Sequence, residues 1–112
     1  MHRAVERRRA ERGQMIEVAR TYVREKAGAM SIRAGYVVGS VARGDFKLWS
    51  DIDVLIIAAG LPKRLLDRID LFSDRPPGVE VFAYTPREFE HERRRKNPIV
   101  LEAADIGIDL LE

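Results

Sequence analysis

Gly39-Ser40-Val41-Ala42-Arg43-Gly44, followed by Ser50-Asp51-Ile52-Asp53-Val54-Leu55-Ile56-Ile57, is the stretch on which the reading of this chain turns. The first half places a glycine and a small hydroxyl where an apolar run ends. Glycine lets backbone come close to phosphate oxygens, and the free N–H groups of a following helical turn suit an anion. The second half places two carboxylates two residues apart at the head of a run of branched apolar residues. Positions i and i+2 of a strand share a face, so Asp51 and Asp53 are neighbours if Asp51 already lies on the strand. Like charges so placed repel unless a cation sits between them. Magnesium suits such a pair, because it takes one or two carboxylates and leaves the rest of its shell to substrate phosphates. Each half alone also fits an ordinary turn or a solvated strand end. Together they suggest metal-dependent chemistry on a nucleoside triphosphate.

The surrounding pattern places this stretch within a small domain. Upstream, Val5, Met15, Ile16, Ala19, Tyr22 and Val23 recur at spacings near three and four, which predicts a helix over residues 2–27. Gly13 is a weak point in it and Gly28 a stop. Ile32–Val38 reads as a strand, Ser40–Arg43 as one helical turn closed by Gly44, and Asp45–Trp49 as a loop. Ile52–Ala58 is apolar enough for a strand buried on both faces. Gly60-Leu61-Pro62 breaks it, with Pro62 suited to a first helical turn. Leu61, Leu65, Leu66, Ile69 and Phe72 then form a helical stripe expected to face a core.

Arg75-Pro76-Pro77-Gly78 interrupts the chain before a third strand at Val79–Tyr84. Thr85-Pro86-Arg87-Glu88 carries the marks of a helix start: Thr at the cap, Pro at the first position, Glu at the third. That helix ends before Asn97-Pro98. A further turn or two follows at Ile99–Ala104, and Ile106–Leu110 reads as a short edge strand. The order of elements predicts a single α/β (α+β) domain over residues 1–112, with an amphipathic helix at 1–28 and a core at 32–112, a small sheet flanked by helices.

Composition narrows the class. A chain of 112 residues builds one core. No apolar run is long enough to span a membrane, the Arg-rich start lacks the apolar segment of a secretory signal, and a cytoplasmic location is expected. With no cysteine, disulfides and Cys-ligated zinc are excluded. Charged residues make up 34% of the chain, yet the net charge is only +2 because the signs are interspersed. Arg7-Arg8-Arg9 and Arg93-Arg94-Arg95-Lys96 sit among Glu6, Glu11, Glu90 and Glu92, which reads as solvated helix faces and argues against direct nucleic-acid binding. His2 and His91 lack ligand spacing.

Gly39-Ser40, ten residues, then Asp51-Ile52-Asp53 resembles the signature of the DNA polymerase beta-like nucleotidyltransferase superfamily. The longer form Gly-Ser-x-Ala-Arg-Gly…Ser-Asp-Ile-Asp-Val resembles its small stand-alone members, the minimal nucleotidyltransferases, with the specific match covering residues 38–57. The resemblance implies their mixed sheet and a third carboxylate on a later strand. Glu80 is the candidate, one methylene longer than the aspartate many relatives carry, and its neighbours Val79 and Val81 alternate away from it. Asp70 and Asp74 are rivals, but fall on or just after a helix.

In that setting Asp51 and Asp53 hold magnesium, two ions in all, against the triphosphate of ATP. Glu80 completes the second metal site or helps deprotonate the acceptor hydroxyl. Gly39 and Ser40 position the β and γ phosphates. Arg43 either neutralises phosphate charge or sits in a surface ion pair. Ser50 caps or orients Asp51, while Phe46 and Trp49 form an apolar wall near the base or simply pack in the loop.

The resemblance extends to a partner. Small members of this kind resemble antitoxins that pair with a HEPN-domain toxin and silence it by adding AMP to a tyrosine. The alternative is a binding module of the same fold that neutralises its partner by occlusion with little or no catalysis. Transfer to a small molecule is disfavoured because no second domain shapes a cleft. The long first helix leaves pairing with a second copy open.

Overall fold

The computed structural model describes residues 2–112, with the backbone alone at His2, so Met1 and the reading of the His2 side chain lie outside the described residues. The elements in order are α1 (His2–Ala27), β1 (Ile32–Val38), α2 (Gly39–Arg43), β2 (Ile52–Ala58), α3 (Leu65–Leu71), β3 (Val79–Tyr84), α4 (Pro86–Arg94), α5 (Pro98–Asp105) and β4 (Ile108–Asp109). The four strands form one sheet in the order β3-β2-β1-β4. β2 runs antiparallel to β1 and parallel to β3, and β4 runs antiparallel to β1. The result is a mixed α/β fold, as the element order predicts.

The branched run of β2 explains its central place, because both of its faces are covered. Ile52, Val54, Ile56 and Ala58 pack with Ala19, Tyr22 and Val23 of α1 on one side. Leu55 packs with Val38, Val100 and Ala103 on the other, where α4 and α5 lie, and Ile57, Tyr84 and Phe89 extend that layer. A Cβ at Gly35 would stand 2.9 Å from Val23 Cγ1. Glycine there lets α1 sit close on the sheet.

Helix ends follow the sequence where the capping chemistry is explicit. Thr85 Oγ1 accepts from the Glu88 N–H, and Glu88 Oε1 accepts from the Thr85 N–H, closing a reciprocal cap on α4. Asn97 Oδ1 accepts from the Ile99 N–H at the start of α5. Burial and these bonds act in opposite senses on the Glu88 carboxyl, and the bonds from Thr85 and Arg68 prevail, holding it below its ordinary value.

The apolar periodicity misleads in two places. α3 begins at Leu65, so Pro62 precedes the helix, and of the expected stripe only Leu61 and Phe72 are buried. Leu65, Leu66 and Ile69 face solvent, the first two about 70% exposed. This helix has only seven residues and is held by Arg68 rather than by a leucine face. Arg68 donates to the Pro62 and Ala83 carbonyls and to Glu88. Val5 is also exposed, as are all of residues 3–10 of α1. The predicted edge strand at Ile106–Leu110 narrows to two residues on β1.

Candidate active site

β1 ends where β2 and β3 begin, so the strand directions bring three chain segments to one end of the sheet. Val38 pairs with Asp53, and Asp53 pairs with Glu80. Alternation puts Asp53 on the face of Leu55 and Ile57, and paired residues of parallel strands share a face. Asp53 and Glu80 are therefore neighbours on the α4–α5 side of the sheet, beside the turn that starts at Gly39. Asp53 is half-buried, while Asp51 and Glu80 are exposed.

Gly39 is fitted to Asp53. Its φ of +69° is the left-handed region, and a Cβ on it would stand 2.3 Å from Asp53 Oδ2. No side chain longer than hydrogen fits between this backbone and that carboxylate. After Gly39 the chain makes the short helix α2, closed by the Gly44 N–H donating to the Ser40 carbonyl, with Gly44 at φ +89°.

Charge accumulates at this point. Burial pushes the Asp53 carboxyl above its ordinary value, and the charges of Glu80, Asp51 and Glu102 push it further, against a smaller opposing effect of Arg43. Such a carboxylate is stabilised by an added cation. Among the described residues no group of three or more His, Cys, Asp or Glu could hold a metal unaided. Oxygen donors in a pair nonetheless fit magnesium, which keeps most of its shell for water and phosphate.

The other expected residues divide. Arg43 is engaged in ion pairs, at 3.3 Å with Asp45 and 3.1 Å with Glu102. Ser50 does not cap Asp51: its Oγ accepts from the Lys47 N–H and closes the 47–50 loop. Phe46 lies in the core at 1% exposure, whereas Trp49 is 80% exposed, so the two form no shared wall. His91 lines a groove on α4, away from Asp53.

Two sets of residues have roles that the sequence does not assign them. Glu102, on α5, accepts from the Gly39 N–H at 2.9 Å while pairing with Arg43. The signal for it is a lone acid in the apolar run Pro98–Ala104. Arg8 and Arg12 of α1 hold α2 and the loop after it. Arg12 donates to the Val41 and Ala42 carbonyls at 2.8 and 3.0 Å. Arg8 donates to the Gly44 and Phe46 carbonyls and stacks over the Phe46 ring at 4.2 Å. A solvated face thus describes Arg7 and Arg9 but not Arg8.

A groove of about 1180 Å³ runs along β3 between α3 and α4. Of the candidate residues only Glu80 lines it, so the carboxylates lie at its margin rather than inside it.

The family described as nucleotidyltransferase domain matches residues 16–107 of the chain, which include Gly39, Ser40, Arg43, Asp51, Asp53, Glu80 and Glu102. A crystal structure at 1.40 Å resolution of a Sulfolobus solfataricus protein, provisionally described as a nucleotidyltransferase, is similar in fold. Its TM-score is 0.69 at 24% identity, over 91% of this chain and 84% of that one. No curated protein matches the chain.

Proposed function

Because the chain belongs to the nucleotidyltransferase domain family, we propose that it moves AMP from ATP to a hydroxyl group on a partner protein, with magnesium as cofactor. The observation that carries this reading is the pairing of Asp53 with Glu80 beside a turn whose first residue has no room for a side chain. In the reaction the acceptor oxygen forms a bond to the α-phosphorus. The bond from that phosphorus to the bridging oxygen breaks, and pyrophosphate leaves.

Asp51 and Asp53 would hold the metal, with Glu80 completing the donor set. Magnesium, when bound, supplies the positive charge that offsets the triphosphate and the crowded carboxylates. Gly39 and Ser40 would receive the terminal phosphates, and Arg43 would face their charge. In the alternative role Glu80, exposed at the margin of the β3 groove, would take the acceptor proton. The resemblance to minimal nucleotidyltransferases supports a tyrosine of a HEPN-type toxin as the acceptor.

A second reading, neutralisation of that partner by occlusion, is favoured by the exposed leucines of α3, which offer a binding face independent of the carboxylates. One experiment separates the two. The chain is incubated with a HEPN-type partner, magnesium and α-labelled ATP, and label on the partner is measured. Transfer by the intact chain, lost in Asp51→Asn with Asp53→Asn, is the expected result. No transfer, with full neutralisation by the double variant, would establish occlusion instead.

A further inference from the structure

Glu102 makes the contacts that the preceding reading reserves for phosphate. One carboxylate oxygen accepts from the Gly39 N–H at 2.9 Å, and both oxygens lie 3.1–3.2 Å from Arg43 Nη1. The side chain is largely covered, at 24% exposure, and reaches the turn from α5 on the far side of the chain, 63 residues away. A planar anion that accepts from a backbone N–H and a guanidinium occupies donors that also suit a phosphate oxygen. It does so beside Asp53, which already carries the charges of Asp51 and Glu80 nearby. A fourth negative group in this position does not ease the crowding, since Arg43 is shared with Asp45.

We propose that Glu102 is an internal stand-in for phosphate, which a polyphosphate ligand must displace from Gly39 and Arg43 before it can bind. The proposal rests on the assignment of the Gly39 turn to phosphate but not on catalysis. Displacement costs the enzyme the Glu102 contacts at the moment of binding, so the carboxylate lowers the affinity of any ligand that must displace it. A side chain that merely positioned Arg43 would have the opposite effect, since its loss would leave the guanidinium unplaced.

The test measures binding of inorganic tripolyphosphate and of ATP to the intact chain and to Glu102→Gln, by calorimetry without catalysis. A charge-assisted contact of this kind corresponds to a change of about tenfold to a hundredfold in affinity, so Glu102→Gln is expected to bind tripolyphosphate at least about tenfold more tightly. Glu102→Asp, too short to reach Gly39, is expected to do the same in part, which guards against an effect peculiar to glutamine. Equal or weaker binding by both variants overturns the proposal, as does absence of binding by all three proteins. Label transfer is followed in parallel. Tighter binding without transfer supports the stand-in while removing the catalytic reading, and transfer with unchanged binding does the reverse.

Discussion

Gly39 shows how a single position can be constrained twice. Its positive φ costs an L-residue roughly 1–2 kcal/mol, and its missing Cβ leaves the space that Asp53 Oδ2 fills. Gly39→Ala is expected to lower stability by at least about 1 kcal/mol, and to abolish nucleotide transfer by moving the Asp53 carboxylate. Thermal melting and labelled transfer check the two effects separately. Asp53 has the opposite balance. Its carboxyl binds its proton more tightly folded than unfolded, so the folded state holds more protons and stability falls as pH rises through the interval above the ordinary aspartate value. Asp53→Asn is therefore expected to melt a few degrees higher than the native chain at pH 7, with the difference closing as pH falls below the usual aspartate range. The same variant should lose transfer. A carboxylate that destabilises the fold beside such a turn is a candidate for chemistry rather than for folding. Asp53 and Gly39 were legible because their types and spacing state the requirement directly. Glu102 was not, because a lone acid in an apolar run does not say which segments, here 59 and 63 residues away, it approaches.

Elements were legible where the chain states its own boundaries. Pro and Thr mark the start of α4, Asn97-Pro98 separates α4 from α5, and Gly39 ends β1, so those limits agree with the sequence reading within a residue or two. α3 departs from its apolar stripe for a physical reason: a helical stripe reports what a helix could bury, not what it does bury. Arg68 fixes α3 through backbone carbonyls, and polar anchoring of that kind has no periodicity. α1 contains the opposite case. Gly13 interrupts a helix that continues through it, and a Cβ there would meet nothing within 4 Å. Gly13→Ala is expected to stabilise the chain by about 0.5–1 kcal/mol, read as a higher melting temperature, with transfer unchanged.

At the scale of the whole molecule, the sheet brings the two halves of the site together. Asp53 and Glu80 are joined through the α3 crossover, and the parallel register alone sets them side by side. That crossover also carries Leu65, Leu66 and Ile69, all three exposed. Leu66→Ser is expected to change stability by less than about 0.5 kcal/mol, because Leu66 is 69% exposed and contributes nothing to the core. Denaturant unfolding checks this, and a larger loss would mean that the helix is more deeply seated than its exposure indicates. The sheet order was beyond the sequence, since strand adjacency depends on contacts between segments and not on the pattern within any one of them.

Arg8 and Arg12 project from a continuous helix whose residues 3–10 are exposed, and they hold the backbone of the turn that begins at Gly39. The first half of the helix is thus tied, through two guanidinium groups, to the turn beside Asp53, so the shape of that turn depends on a segment far from it in sequence.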